Sequence, residues 1–448
     1  MNNKAREDLN EKRVKLLEND ERIYLPLYTD VKRFLSVGVS IIFTATAKYD
    51  GRNGIKAGDK VYFKANNRRG VNSIGRTEES MGSCEDVSEV YGYYLLKNLG
   101  ENLGDKAVLK TTPYDFAQYA NDEFWGLVAK QTSNLVSSCR LYGCVSKNCI
   151  DAKGQIVHGN ELLRLVHEQK NVMKSSSNTL ASYDSAVKAY QRKAAEAGQE
   201  VLVDPICTRY NANILMWDYF TANSDRHCKN INYELVELAN GESVLTPLAI
   251  LDNGGAFAMQ SMNAQKLYAE ELEKLQKTGK IEPFQGTLRN PFDVQYDMFV
   301  GKESFKDEQI KNCYDNLSYT AQLVMMISQN KTLFNDFKNI YNGLDTEKAF
   351  SQMCHDTRLP KDYLPGFLEI TTAVTNFKKE QISMVMAEVM GEEFDEQKFV
   401  ENQNYYVDKF ESLVKENELT LNIASDKDVL EHKKRVEKIA KTSQKGEE

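Results

Sequence analysis

The pattern of apolar and polar residues predicts short strands in the first third of the chain. Residues 37–47 (VGVSIIFTATA) and 58–65 (GDKVYFKA) are rich in β-branched and aromatic side chains, and a turn, YDGRNG, separates them. Residues 107–112 and 140–146 predict two more short strands. Residues 65–84 are polar and rich in Gly and Ser, which is typical of a loop.

One helix is predicted among these strands, starting near residue 85, where acidic side chains favour a helix N-terminus. Its apolar residues recur at helical spacing: Val87, Tyr91, Tyr94 and Leu95. Gly100 is predicted to end the helix, because glycine is common just after helix termini.

After residue 148 the apolar residues are mostly spaced as in helices. Helices are predicted over residues 160–173, 182–198 and 211–223, and over most of 265–425. Residues 231–252 interrupt them with alternating apolar residues around an Asn-Gly dipeptide, which predicts a β-hairpin.

The predicted fold class is therefore α+β, with a small β-rich part that contains one main helix, followed by a large, mostly helical part that carries a hairpin. We expect a charged helical extension over residues 1–33, the β-rich part over 34–148 and the helical part over 149–425. Residues 426–448 predict a charged helix that becomes disordered towards its end.

Composition narrows the class of protein further. Apolar residues make up 41% of the chain, as in an average globular protein, and the net charge is −8. An acidic chain is a poor candidate for coating nucleic acid, which favours a basic face. The sequence contains no apolar stretch long enough to span a bilayer, and because residues 1–20 are charged and lack an apolar core we do not expect them to act as a secretory signal. Eight cysteines without a CxxC pair predict reduced thiols, so we expect a cytoplasmic protein, with secretion or delivery to a host cell as the open alternative.

The strongest chemical signal is SDRHCKN, residues 224–230, between an apolar helix and the first strand of the hairpin. Asp225 and Asn230 are five residues apart, as in the catalytic loop of kinases. There the Asp orients the attacking hydroxyl and accepts its proton, and the Asn binds a magnesium ion. His227 is interpreted as a residue that braces this loop at the nucleotide, and Arg226 as a tether for phosphate or for the loop.

The hairpin ends in LDNGG, so an apolar strand leads directly into Asp252. A second carboxylate belongs at this place, one that binds Mg²⁺, because Mg²⁺ prefers hard oxygen ligands. Taken singly, Asp225 and Asp252 are more often ordinary turn residues. Their order along the chain, with the helix and hairpin between them, is what indicates a kinase site.

The β-rich part supplies matching residues. VYFK places Lys64 at the end of a strand, where a kinase lysine contacts the α- and β-phosphates. Glu89, inside the predicted helix, is the expected ion-pair partner of Lys64, with Glu85 as a competitor and a solvent-exposed role as the alternative. The preceding turn is a candidate phosphate cover or a purely structural hairpin turn; its candidate residues are Gly51, Asn53 and Gly54.

Together, the motifs YDGRNGIK, VYFK, SEVYGYYLL, NSDRHCKN and LDNGG resemble the HipA-like protein kinases, in particular the shorter bacterial branch of CtkA-type kinases. The resemblance covers residues 45–260 and implies an atypical bilobal protein-kinase fold that uses Mg-ATP to phosphorylate Ser or Thr in a protein. By position, it implies that Lys64 binds ATP, Glu89 pairs with Lys64, Asp225 is catalytic, and Asn230 and Asp252 bind Mg²⁺. Only a short segment precedes the nucleotide-binding part, whereas toxin members of the family have an additional subdomain there.

Other functions stay open at this point. DRHxxN is also similar to the loop of phosphoinositide-type kinases, so a small-molecule or lipid kinase on the same fold is an alternative. A pseudokinase scaffold and a helical interaction protein with coincidental motifs are two more. Autophosphorylation is expected in the loop over residues 65–84, at one or more of Ser73, Thr77, Ser80 and Ser83.

Overall fold

The structure is a computed structural model. It describes residues 28–34, 42–64, 85–118, 142–147, 152–159, 190–223, 230–238, 241–258, 330–357, 367–390 and 423–444, together with 161, 226, 323 and 327. The predicted loop over residues 65–84 and the predicted helix over 160–173, apart from residue 161, lie outside these ranges, as do Asp225 and His227.

The first sheet has five antiparallel strands in the order β1-β2-β3-β5-β4. The strands are β1 (Tyr28–Phe34), β2 (Ile42–Ala47), β3 (Lys60–Lys64), β4 (Tyr114–Gln118) and β5 (Tyr142–Ser146). The strands predicted around the YDGRNG turn and at residues 140–146 are confirmed where they are described.

One prediction in this region is wrong, and another falls mostly outside the described part. Of the helical extension predicted over residues 1–33, residues 1–27 lie outside the described ranges, and residues 28–33 belong to β1, which pairs with β2. Residues 107–112 do not form a strand of the first sheet. Their backbone instead bonds to the second sheet, where the N–H of Thr112 donates to Ile250 O at 3.2 Å and that of Ile250 to Lys110 O at 2.9 Å. β4 begins only after Pro113, a residue that has no N–H to donate.

Helix α1 (Glu85–Leu103) confirms the predicted helix but continues through Gly100. The helix ends at Gly104, which starts a 3₁₀ turn (Gly104–Lys106) and has a φ of +55°. This left-handed conformation is easily adopted by glycine, so Gly104 and not Gly100 terminates the helix.

The second sheet has four strands in the order β6-β8-β9-β7. They are β6 (Gln155–His158), β7 (Val201–Val203), β8 (Ile231–Glu237) and β9 (Ser243–Ile250). β8 and β9 form the predicted hairpin, with Ile231 opposite Ile250. β7 pairs with β9 in parallel. Neither β6 nor β7 follows from the apolar pattern, because each has only three or four residues.

Five further helices have described bounds: α2 (Ile206–Thr221), α3 (Lys331–Gly343), α4 (Thr346–Thr357), α5 (Phe367–Met390) and α6 (Asp426–Gln444). Residues 190–196 are also helical, within the helix predicted over 182–198, whose first residues lie outside the described ranges. α2 is buried along almost its whole length, and its neighbours are α3, α5 and β9. α6 is the charged helix predicted for the tail. It is anchored to the body by Asp426, which accepts from Arg209 at 2.8 Å, and by His432, which contacts Asp204 at 2.6 Å.

One hydrophobic core joins α1 and α2 to helices α3–α5 and to residues from both sheets. The predicted mixture of α and β structure is confirmed, and the bilobal arrangement stays a prediction. No helix in the described ranges has an apolar stretch long enough to cross a membrane.

Candidate functional site

Lys64 is the last residue of β3, on the face of the first sheet that α1 covers. Register places it opposite Ile42 on β2 and Cys144 on β5, and Cys144 belongs to the core that includes α1. Side chains alternate between the two faces of a strand, so the neighbouring Phe63 points to the other face. The strand thus directs the ammonium group of Lys64 towards α1.

Glu89 meets Lys64 from the second turn of α1. Glu89 Oε1 accepts a hydrogen bond from Lys64 Nζ, and its side chain is fully buried. Its other oxygen, Oε2, accepts from the backbone N–H of Asn253 at 2.7 Å. One carboxyl group therefore connects the first sheet to the segment after β9.

Asp252 completes a three-residue cluster. Its Oδ1 lies 2.9 Å from Lys64 Nζ, and its side chain is 34% exposed. Its φ of +57° is left-handed, an uncommon conformation for a residue other than glycine. The backbone N–H of Asp252 donates to the hydroxyl oxygen of Tyr114 on β4 at 3.2 Å, which helps to hold this conformation.

The charges in this cluster are coupled. Burial lowers the pKa of Lys64, but Asp252 and Glu89 outweigh burial and hold it well above its usual value. Burial also opposes ionisation of Asp252, yet Lys64 keeps the pKa of Asp252 well below its usual range. Burial raises the pKa of Glu89 to about 8, against the effect of Lys64. These directions favour a charged Lys64, a charged Asp252 and a protonated Glu89 near neutral pH.

Arg226 ties the loop after α2 to the segment after β9. Its guanidinium group donates to the buried Asp218 of α2 at 3.0–3.2 Å and to Asn253 Oδ1 at 2.8 Å. It also donates to the backbone oxygen of Leu251 and, at 3.4 Å, to that of Asp252. Burial raises the pKa of Asp218 to about 6, although Arg226 opposes this shift. The interpretation of Arg226 as a loop tether is confirmed.

Asn230 lies at the same end of the hairpin as Asp252. It precedes the first residue of β8, and its backbone oxygen accepts from Leu251 N at 2.8 Å. Asn230 is 6% exposed. The register of the hairpin thus brings Asn230 and Asp252 together, as the order of the motifs predicts. Asp225 and His227 are outside the described residues, and their roles stay predictions.

The structure does not bring Gly51, Asn53 and Gly54 to Lys64. Their turn joins β2 to β3 ahead of Lys60, at the other end of β3, which at strand spacing is ~13 Å away. Asn53 Nδ2 donates instead to Tyr114 O at 2.8 Å. The ends of β1 and β2 that lie beside Lys64 are Phe34 and Ile42, which are paired with each other.

Sequence reasoning missed four residues that shape the site: Gly92, Tyr114, Asp218 and Asn253. Two signals were available, since Gly92 interrupts a good helical sequence and Asp218 is an acidic residue in a strongly apolar helix. Asn253 lies within the LDNGG motif, but its sequence context offers no reason to assign it a role. Nothing in the local sequence distinguishes Tyr114 from other strand tyrosines.

No protein-family model matches the sequence, and no curated protein matches it at a significant level. Two solved structures are similar in fold. The proinflammatory kinase CtkA of Helicobacter pylori has 15% sequence identity and a TM-score of 0.45, and the match covers 81% of this chain and 97% of CtkA. HipA of Shewanella oneidensis, solved with HipB and operator DNA, has 13% identity and a TM-score of 0.35, and the match covers 86% of this chain and 71% of HipA.

Both structures are HipA-like kinases, the family that the sequence motifs resemble. The resemblance of this chain to that family rests on its sequence motifs.

Proposed function

We propose that this chain transfers the γ-phosphoryl group of ATP, with Mg²⁺, to Ser or Thr hydroxyls of a protein. One observation supports the proposal above all others. Lys64, Glu89 and Asp252 come from three separate elements and meet at the end of the hairpin where Asn230 lies. Phosphoryl transfer depends mainly on positioning and on charge stabilisation. A lysine–glutamate pair beside an aspartate that binds metal provides both.

The donor set fits magnesium and a nucleotide. Asp252 is ionised and partly open to solvent, so its carboxylate oxygens are available to a hard cation. We propose that Asp252 and the side-chain oxygen of Asn230 hold Mg²⁺, whose other ligands are phosphate oxygens and water. Lys64 keeps its positive charge and is proposed to contact the α- and β-phosphates. When bound, Mg-ATP supplies the phosphoryl group and positive charge beside it.

The residues of the chain have distinct proposed roles. Asp225 orients the acceptor hydroxyl and accepts its proton while the hydroxyl oxygen bonds to the γ-phosphorus. The bond from the γ-phosphorus to the bridging oxygen of the β-phosphate breaks, and ADP is the leaving group. Arg226, the next residue, is fixed to α2 and to the segment after β9, so it anchors the loop that carries Asp225. Glu89 holds Lys64 in position from α1. His227 is proposed to brace the same loop at the nucleotide.

The acceptor and the role of Asp225 are tested together by phosphoamino-acid analysis after incubation with γ-labelled Mg-ATP and protein acceptors. We expect label on Ser or Thr, and a loss of at least ~100-fold in Asp225→Ala, the scale of a lost acid–base group. Glu101→Ala, at an exposed position of α1, is the control and should retain the wild-type rate. Label on no protein, or an Asp225→Ala rate equal to wild type, would overturn the proposal.

A further inference from the structure

Asn253 contacts three parts of the chain at once. Its backbone N–H donates to Glu89 of α1 at 2.7 Å, and its side-chain oxygen accepts from Arg226 at 2.8 Å. Its side-chain nitrogen donates to Thr111 Oγ1 at 3.4 Å, in the segment between α1 and β4. Asn253 is completely buried, so these contacts are not shared with bulk solvent.

Gly92 lets α1 approach Asn253 closely. A Cβ atom added at Gly92 would lie 2.9 Å from Asn253 Cβ and 3.2 Å from its Cγ, closer than packed side chains tolerate. Gly92 is three residues after Glu89, on the same face of the helix. A glycine inside a helix is unfavourable relative to alanine, and the approach of Asn253 explains why one is present here.

We infer that Asn253 is a positioning residue that couples α1 to the metal-binding end of the hairpin. This inference rests on the proposed function. Asp252 is its neighbour in the chain, and Arg226 holds the backbone oxygens of Leu251 and Asp252 as well as the Asn253 side chain. A displacement of Asn253 therefore moves Asp252 and releases Glu89 together, which alters both partners of Lys64.

Two glycines of α1 offer a matched test. Gly92→Ala drives a methyl group into Asn253, whereas a Cβ atom at Gly100 meets nothing within 4 Å. Asn253→Ala is a second, milder variant, because it keeps the backbone N–H to Glu89 and removes only the bonds to Arg226 and Thr111. All variants are compared below their unfolding temperatures.

The first readout is the Mg²⁺ concentration that gives half-maximal transfer at saturating ATP. We expect Gly92→Ala and Asn253→Ala to raise it at least ~10-fold and to lower kcat, with Gly100→Ala equal to wild type. The second readout needs no ligand: amide hydrogen exchange of residues 251–254 in the free protein. We expect exchange at least ~10-fold faster in Gly92→Ala and Asn253→Ala only.

The outcomes separate this inference from the function on which it rests. A wild type that transfers phosphate, with an unchanged magnesium requirement and unchanged exchange in Gly92→Ala and Asn253→Ala, would overturn the inference and leave the proposed function standing. The inference also fails if Gly100→Ala behaves like Gly92→Ala. A wild type that transfers no phosphate would overturn the proposed function, and this inference with it.

Discussion

At the scale of single residues, the carboxyl groups of Glu89 and Asp252 compete for the one ammonium group of Lys64. The place is mostly buried, and burial raises the pKa of Glu89 to about 8, which favours its protonated form near neutral pH. In an unfolded chain Glu89 has its usual pKa of 4.5. The folded protein therefore binds more protons than the unfolded one between these two pH values, and its stability falls as the pH rises through that window.

Replacing Glu89 by glutamine should remove this pH dependence, because glutamine mimics the protonated acid and does not titrate. We expect the loss of unfolding free energy between about pH 5.5 and pH 7.5 to be ~1–2 kcal/mol smaller in Glu89→Gln than in wild type. The free energy of unfolding in urea, measured for each protein at the two pH values, tests this expectation. Glu101→Gln, at an exposed position of the same helix, is the control for the change in charge. Equal pH dependence in wild type and Glu89→Gln would refute the protonated state.

At the scale of elements, the turn between β2 and β3 connects the first sheet to a distant helix, which its local sequence does not predict. Arg52 donates two hydrogen bonds to the fully buried carboxylate of Asp115 on β4, at 3.0 and 3.1 Å. A third, 2.6 Å long, goes to the backbone oxygen of Asp356 near the end of α4. The turn thus fastens the first sheet to a helix that follows about 300 residues later.

Arg52→Ala should destabilise the protein by ~3 kcal/mol, because it leaves a buried carboxylate without its cation. Lys56→Ala in the same turn is the matched control: Lys56 and its partner Asp50 are both exposed, and such pairs contribute little to stability. The free energy of unfolding in urea measures both. Because the turn is remote from Lys64, folded Arg52→Ala should retain wild-type transfer. An Arg52→Ala variant as stable as Lys56→Ala would contradict this account.

The elements that the sequence predicts well are those whose apolar spacing is local and long. α1, α2 and the β8–β9 hairpin follow from spacing and from one Asn-Gly dipeptide. β7 does not, because three residues carry too little periodicity, and its strand identity comes from pairing with β9. Residues 107–112 also could not be predicted from spacing. Their composition is typical of a strand, but they form only a backbone bridge to Ile250.

At the scale of the whole molecule, the site depends on contacts between distant segments. The motifs name Lys64, Glu89, Asn230 and Asp252 because kinases use those residue types in that order, and the fold brings them together. The motifs do not include the residues that hold the site residues in position. The contact of Gly92 with Asn253 and the bond from Arg226 to Asp218 arise only when α1, α2 and the hairpin pack against one another. The local sequence marks Gly92 and Asp218 as unusual helix residues, but it does not identify the distant residues that they contact.

The central claim is tested most directly by transfer from γ-labelled Mg-ATP, with wild type and Asp252→Ala side by side. Each protein is incubated alone, with a generic protein acceptor and with a cell lysate. The account predicts label on protein from wild type only, because Asp252 is the ionised carboxylate beside Lys64. Equal labelling by the two proteins, or ATP binding by a wild type that labels no protein, would contradict it.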